Sequence, residues 1–289
     1  MRAGALFAGL VVLALGLAAT ATGGPSAPAA IPGCAKGSLN LVKEGQLSLA
    51  TDNPAFDPWW TGGSNTDAWE INDPTTGKGF ESAVAYNIAR RLGFSWKQVA
   101  WKAVPWAKSF APGKKPFDFY LAQVSILPAR AKNVTFSTGY YNVNQAVAGL
   151  KSNPISKVRS LNGLRKYRLG AALGTTSYDY IVRYIRPEQQ PRVYDTVNDV
   201  VTALKTKQID GLVTDFDSMG YLTNVQVPGS KVIGRLPTKG KPEQFGLVFQ
   251  KGNRLVGCVN KALAQMRSDG ALKRLEVRWL GQTGAPILK

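Results

Sequence analysis

The segment that begins at Phe119 constrains this chain most, because it places a hydroxyl and a guanidinium directly after a buried strand. Phe119, Leu121 and Ser125 fall on alternate positions, as side chains on one face of a strand do. Pro128 suits the first turn of a short helix. Arg130 follows where its guanidinium can meet a carboxylate in two parallel hydrogen bonds. The segment therefore predicts a strand, a short helix and an anion-binding site where they meet.

Strand and helix patterns alternate along the rest of the chain. The predicted strands are residues 45–51, 169–173 and 209–213, where short apolar or alternating runs end in turn residues. The predicted helices are residues 79–93, a segment capped by Thr196 and Asp199, and two segments within 256–279, all with apolar residues at helical spacing. This alternation predicts an α/β architecture with helices on both faces of the sheets.

The N-terminal sequence predicts export. Residues 5–21 form a short apolar run after Arg2, and residues 19–21 are the small residues that a signal peptidase requires. Residues 22–32 are small and rich in glycine and proline, which is typical of a flexible segment. A retained membrane anchor remains the alternative to a cleaved signal. The protein is therefore expected outside the cytoplasm, in a periplasm or at the cell surface.

Cysteine, histidine and charge restrict the classes of function. Cys34 and Cys258 are the two cysteines, and an exported pair predicts a disulfide. No histidine occurs, which excludes histidine-containing catalytic triads and the usual zinc sites, so we expect no cofactor and no metal. The net charge of +18 favours anionic partners, but no nucleic-acid-binding motif accompanies it. We therefore expect association with the anionic cell envelope and no binding of nucleic acid.

Residues 125–141 read S-I-L-P-A-R-A-K-N-V-T-F-S-T-G-Y-Y. This stretch resembles the signature S-I-T-P-E-R-x-x-x-V-x-F-S-x-x-Y-Y of the extracytoplasmic solute-binding proteins that deliver polar amino acids to ABC importers. The resemblance covers about residues 34–280 through further blocks in the same order, namely G-F-E-S-A, G-T-T-S, I-D-G-L-V-T-D and E-Q-F-G-L. Leu127 and Ala129 depart from it, and Leu127 removes a side-chain cap from the helix that carries Arg130, at a cost of about 1 kcal/mol.

The resemblance implies a two-lobed fold of the type II periplasmic-binding-protein kind, with two strands crossing between the lobes. Its expected divisions are residues 1–33 as signal and flexible segment, 34–145 and 244–289 as the first lobe, and 146–243 as an inserted second lobe. The crossing strands are expected near residues 142–150 and 243–247. The implied protein is a monomer that presents its ligand to a membrane permease.

The resemblance also implies one amino-acid site in the cleft between the lobes. Ser125, Arg130 and Thr176 would bind the ligand carboxylate, and the start of a helix near Tyr178 favours an anion by its own free N–H groups. Asp215 would accept hydrogen bonds from the ligand ammonium group, while Asp217 is expected to be solvated. The remaining candidates for the cleft are Asp52, Phe56, Thr175, Trp59, Trp60 and Tyr141.

Three functions remain open on the sequence. A binding protein is favoured, and its ligand would have a neutral or acidic side chain. Glutamine is compatible with both the positive charge of the chain, which repels cations, and Asp52, whose carboxylate could pair with an amide. An enzyme on the same fold, of the prephenate or arogenate dehydratase kind, would need a cleft acid, for which Asp52 and Glu81 are the candidates. The sensing domain of a receptor would carry a signalling or membrane segment beyond Lys289.

Overall fold

Two five-stranded sheets organise the part of the chain that the computed structural model describes, which is residues 30–63, 68–281 and 284–289. The predicted signal at residues 5–21 lies outside these ranges. Among the helices within them, none has the length and apolar character to span a membrane.

Helices and strands alternate along the described chain, as the sequence predicts. The strands are β1 (Leu47–Thr51), β2 (Val99–Ala103), β3 (Phe119–Tyr120), β4 (Val134–Phe136), β5 (Tyr141–Val143), β6 (Gln145–Leu150), β7 (Leu169–Ala172), β8 (Arg192–Tyr194), β9 (Gly211–Asp215), β10 (Ser230–Arg235), β11 (Glu243–Phe245) and β12 (Val248–Gln250). The helices are α1 (Phe80–Arg91), α2 (Trp106–Ser109), α3 (Pro128–Ala131), α4 (Leu161–Leu164), α5 (Thr176–Tyr180), α6 (Val197–Lys205), α7 (Met219–Tyr221), α8 (Leu255–Ser268) and α9 (Ala271–Trp279).

The first lobe is built on the sheet with strand order β2-β1-β3-β12-β4. Strand β1 runs parallel to β2 and β3, whereas β12 runs antiparallel to β3 and β4. The apolar faces of α1, α8 and α9 share one core with this sheet, as their helical spacing predicts. Gly79 begins α1 with φ of 90°, and a Cβ at this position would lie 2.5 Å from the carbonyl oxygen of Trp59. Only glycine allows this close entry to the helix.

The second lobe is built on the sheet with strand order β10-β6-β9-β7-β8. Alternate residues of β6 enter different cores, since Ala146 and Ala148 pack on one face and Val147 packs on the other. Both faces are therefore buried, which explains the almost continuous apolar run in this strand. The predicted capping box is present at the start of α6, where the side chains of Thr196 and Asp199 bond reciprocally to each other's backbone N–H.

Two short strands connect the lobes. Strand β5 lies between β4 of the first sheet and β6 of the second, and β11 returns from β10 towards β12. The two pair antiparallel with each other, with Tyr141 opposite Phe245 and Val143 opposite Glu243. This arrangement confirms the two-lobed fold with two crossing strands. The boundaries between the lobes at residues 145/146 and 243/244 remain a prediction from the sequence.

The C-terminal residues contact the second lobe, although the predicted division gives all of 244–289 to the first. Ile287 forms a β-bridge with Arg235 of β10, and the backbone N–H of Lys289 donates to the carbonyl of Arg159. Leu288 is buried in a core of the second lobe, where it fills the space above Gly234. The burial of one large apolar side chain therefore holds the end of the chain on this lobe.

The predicted disulfide joins Cys34 to Cys258. Cys34 and its neighbour Ile31 are buried in the core of the first lobe, and Cys258 lies on α8. The bond therefore attaches the segment before β1 to a helix of the same lobe.

Candidate ligand-binding site

A cluster of polar side chains lies where β5 and β11 cross between the lobes. Most of its members stand at or near the end of a secondary-structure element, and Ser125 forms a β-bridge with Phe245, so that the backbone fixes their positions. The members are Ser125 between β3 and α3, Arg130 on α3, Gln145 at the start of β6, Thr176 at the start of α5, Asp215 at the end of β9 and Glu243 at the start of β11.

Arg130 connects the two lobes through its guanidinium. It is only 6% exposed and packs against the edge-to-face pair of rings of Trp106 and Phe110, whose centroids are 4.8 and 4.6 Å from its Cζ atom. Nη1 donates to the carbonyl of Ser125 at 2.9 Å, and Nη2 donates to the carbonyl of Gly174 in the second lobe at 2.9 Å. Burial lowers the pKa of Arg130 to about 10, so the group keeps its positive charge at neutral pH.

The carboxylate of Glu243 accepts hydrogen bonds from Ser125 and Thr176, whose hydroxyls are predicted from the sequence to bind a ligand carboxylate. Its Oε1 accepts hydrogen bonds from Ser125 Oγ at 2.5 Å and from Thr176 Oγ1 at 2.8 Å. Its Oε2 accepts from Gln145 Nε2 at 3.3 Å. The hydroxyls come from opposite lobes, so the carboxylate of Glu243 bridges the cleft.

Asp215 stands at the end of β9, where the sequence predicts the end of a strand, and its carboxyl group lies beside that of Glu243. Its Oδ1 accepts a hydrogen bond from Gln145 Nε2 at 2.7 Å, and the same amide reaches Glu243. Burial raises the pKa of Asp215 well above its usual range, and the negative charge of Glu243 raises it further. A cation bound beside the two carboxyl groups would lower the pKa of Asp215 and stabilise the ionised form of both, so the pair is suited to an ammonium group.

Gln145 is fixed on both sides of its amide. Its Oε1 accepts a hydrogen bond from Ser177 Oγ at 2.6 Å, which directs Nε2 towards the carboxylates. Thr175, the residue before α5, has a capping role: its Oγ1 donates to the carbonyl of Ala172 at 2.7 Å and accepts from the N–H of Tyr178 at 3.3 Å. Thr175 therefore orders the helix start that presents Thr176 to the cleft.

Aromatic side chains form contacts across the cleft. The ring of Phe56 lies 5.9 Å from that of Tyr221 in the second lobe, and Trp59 Nε1 donates to Ser218 Oγ at 3.0 Å. Trp59 and Trp60 are both buried in the core of the first lobe. Of these three candidates, Phe56 and Trp59 therefore reach the opposite lobe.

Asp217 was predicted to be solvated, and this prediction is wrong. Its carboxylate is partly buried and accepts a hydrogen bond from the hydroxyl of Tyr141 at 2.7 Å. Burial raises the pKa of Asp217 above its usual value. Tyr141 belongs to crossing strand β5, so this bond ties the crossing to the second lobe.

The two candidate acids lie in different environments. Asp52 follows β1 and accepts a hydrogen bond from the N–H of Asn53 at 3.0 Å, and burial raises its pKa to about 6. Glu81 is fully buried on α1, where its carboxylate accepts from the N–H of Gln123 at 2.8 Å and from the hydroxyl of Tyr140. These partners of Glu81 all belong to the first lobe, so its carboxylate is part of that lobe's interior.

Glu81 is expected to make stability fall as the pH rises. Burial raises its pKa to about 7 in the folded protein, from an ordinary value of 4.5. Its contribution is therefore fully present below pH 4.5 and is lost as the pH rises through 7, by up to roughly 3 kcal/mol. Urea unfolding of the wild type across this range should show the decline, and Glu81→Gln should make it less steep.

Exposed Glu44 provides the control for this experiment, since Glu44→Gln makes the same chemical change at the surface. Asp52, whose pKa is also raised, contributes a decline of the same sign in every variant. An unchanged slope in Glu81→Gln would contradict the prediction.

The chain matches the family model of the bacterial extracellular solute-binding proteins, family 3, over residues 63–282. It belongs to this family. The family predicted from residues 125–141 is thereby confirmed, and the extracellular location in the family's description agrees with the predicted export.

Relatives of this solute-binding protein are named for several amino acids. The L-cystine-binding protein TcyJ of Escherichia coli (strain K12) is 27% identical over 250 residues, which cover 85% of this chain and 87% of the relative. The ABC transporter glutamine-binding protein GlnH of Bacillus subtilis (strain 168) is 27% identical over 228 residues, which cover 77% of this chain and 80% of the relative. The solved structure of an ancestral arginine-binding protein bound to glutamine has a TM-score of 0.66 and 26% identity, and the alignment covers 83% of this chain and 100% of that one.

Sequence reasoning missed two members of the cluster in this solute-binding protein, Gln145 and Glu243. Each carried a weak signal. Gln145 is a polar residue at the head of an otherwise apolar strand, and Glu243 stands three residues before a glycine in a predicted crossing strand. A polar side chain that is buried, as Gln145 is, or partly buried, as Glu243 is, needs a hydrogen-bond partner, and in both cases the partners lie in the cleft.

Proposed function

We propose that this protein binds a polar amino acid in the cleft between its lobes and delivers it to an ABC permease. One observation carries the proposal: Ser125 and Arg130 of the first lobe lie together with Thr176 and Asp215 of the second. An amino acid presents a carboxylate and an ammonium group a short distance apart. This cluster offers a guanidinium and hydroxyls for the first group and a carboxylate for the second.

The division of these groups between lobes supports a closing mechanism. A ligand that contacts Ser125 and Thr176 together binds only when the lobes are close, so it favours the closed arrangement by its differential affinity. The bond from Arg130 to the carbonyl of Gly174 adds a direct link between the lobes in that arrangement. A permease would then recognise the closed form of the protein.

Local charge bears on the side chain of the ligand. Asp215 and Glu243 provide two carboxyl groups against the guanidinium of Arg130, and Asp217 adds a third beside Asp215. The net charge of +18 favours anions, but salt screens exposed charges beyond about 8 Å. Groups within the cleft therefore weigh more, and we infer a neutral amide or a cationic side chain rather than an acidic one. The relatives named for glutamine and arginine support this inference.

Export, association with the anionic cell envelope and a monomeric state complete the proposal. The disulfide between Cys34 and Cys258 and the extracellular family support export, because such bonds persist in oxidising compartments. The net charge of +18 supports attraction to anionic polymer or lipid headgroups.

A dehydratase-like enzyme is the second candidate, and one observation favours it. Asp52 has a pKa raised to about 6 by burial, which suits a group that donates a proton near neutral pH. Incubation with prephenate or arogenate, followed by detection of the aromatic product, tests this candidate. Turnover that Asp52→Asn abolishes would support it over binding alone.

Thermal denaturation with each of the twenty amino acids tests the main proposal. A ligand that binds only the folded protein should add about 2.7 kcal/mol of stability at a concentration one hundred times its Kd. We expect glutamine, arginine or a similar polar amino acid to raise the Tm, and the N-acetylated and α-amide derivatives of the same compound to raise it much less. No shift with any amino acid would contradict the proposed function.

A further inference from the structure

We propose that Glu243 determines ligand specificity by competing with the ligand carboxylate for the hydroxyls of Ser125 and Thr176. This inference rests on the proposed function of the cleft. It adds an internal competitor that sets how strongly the site prefers an amino acid over an amine without a carboxylate.

The hydroxyls cannot serve two carboxylates at once. A serine or threonine hydroxyl carries one proton, and both of these protons are directed at Glu243 Oε1, over 2.5 Å from Ser125 and 2.8 Å from Thr176. An incoming carboxylate gains these charge-assisted bonds only when Glu243 releases them. On binding, the ligand carboxylate therefore replaces the carboxylate of Glu243 at the two hydroxyls. The net gain in binding free energy is smaller than the new hydrogen bonds alone would give.

Charge strengthens the competition. Arg130 is the cation of the cluster, and both of its Nη atoms already donate to main-chain carbonyls of Ser125 and Gly174. A ligand carboxylate beside Glu243 would place two negative charges around one guanidinium, while the carboxyl group of Asp215 shares the Gln145 amide with Glu243. Repulsion between like charges at short range in a partly buried cleft opposes this state. The ligand carboxylate is thus expected to displace the side chain of Glu243.

The position of Glu243 suits this role. It begins β11 and pairs with Val143 of β5, so it stands on a crossing strand within reach of both lobes. Its carboxylate joins Ser125 of the first lobe to Thr176 of the second, as a bound ligand would. The side chain therefore links the lobes as well as competing for the site.

Binding of matched ligand pairs to Glu243→Gln and Glu243→Ala tests the competition. The pairs are glutamine with 4-aminobutanamide, and arginine with agmatine, in which the amine lacks only the carboxylate. Calorimetry should show that both variants bind the amino acid about tenfold or more tightly than the wild type, while their affinity for the amine is unchanged or lower. Exposed Glu188 supplies the control Glu188→Gln, which should behave as the wild type. Equal changes for both members of a pair would overturn the inference.

A second measurement tests the link that Glu243 makes between the lobes, even where no probe binds. Small-angle X-ray scattering of the protein without added ligand should give a larger radius of gyration for Glu243→Ala than for the wild type and Glu188→Gln, because the link between Ser125 and Thr176 is lost. If no probe binds to any variant, the proposed function fails, and an unchanged radius then overturns the role of Glu243 as well. If probes bind and the variants match the wild type in both experiments, the inference alone fails.

Discussion

Replacing Arg130 with alanine is expected to abolish binding of the amino acid, with an affinity loss of more than tenfold. The guanidinium is the fixed positive charge proposed for the ligand carboxylate, and such bonds in a dry cleft contribute roughly 2–5 kcal/mol. The substitution also removes the bond from Nη2 to Gly174, which joins the lobes. Calorimetry with the ligand that gives the largest thermal shift would measure the loss.

The burial of Arg130 requires further variants, since alanine leaves a cavity beside the rings of Trp106 and Phe110. Arg130→Lys keeps the charge but lacks the planar fork, so we expect weakened binding with a smaller loss of stability. Arg91 is the matched control: it is also buried, but it bonds to Asp269 at 2.5 Å within the first lobe. Arg91→Met should lose stability and keep the ligand affinity of the wild type. A folded Arg130→Ala protein with unchanged affinity would refute the assignment of Arg130.

The parts of the fold that sequence predicts best are those with local causes. The helix α1, the strand that ends at Asp215 and the capping box of Thr196 and Asp199 each depend on residues within a few positions of one another. Periodicity and capping chemistry record such short-range requirements directly in the sequence. These elements were therefore predicted without knowledge of the tertiary structure.

The candidate site was predicted only in part because its decisive contacts are long-range. Ser125 and Glu243 are 118 positions apart, and Thr176 and Glu243 are 67 apart, so no local pattern connects them. Tyr141, the hydrogen-bond partner of Asp217, lies on crossing strand β5, 76 positions away in the sequence. No local pattern indicates this partner, so Asp217 was expected to be solvated. The sequence identified residues suited to hold a carboxylate, and the structure adds that Glu243 presents one to them.

Loss of the bond between Cys34 and Cys258 is expected to cause the largest fall in global stability. The bond closes a loop between positions 224 apart, and the chain-entropy treatment gives about 5 kcal/mol for a loop of this length as an upper value. Urea unfolding of the wild type and of Cys34→Ser/Cys258→Ser would measure the difference. Intact mass after alkylation without reductant establishes the starting state, and two alkylated thiols in freshly purified protein would refute the bond.

The size of this fall in stability would also show whether the disulfide acts on the unfolded chain or holds the segment at residues 31–34 on the folded protein. Cys34 is 3% exposed, and Ile31 beside it is buried in the same core, so the segment retains apolar contacts when the bond is removed. If those contacts held the segment in place, the fall would reflect the longer free chain of the unfolded state and approach the full value. If the segment instead detached, the folded state would also lose the burial of Ile31 and become more accessible to proteases at its N-terminus. Limited proteolysis of the double serine variant separates these outcomes, because only detachment exposes residues 31–34 to cleavage while the rest of the first lobe stays folded.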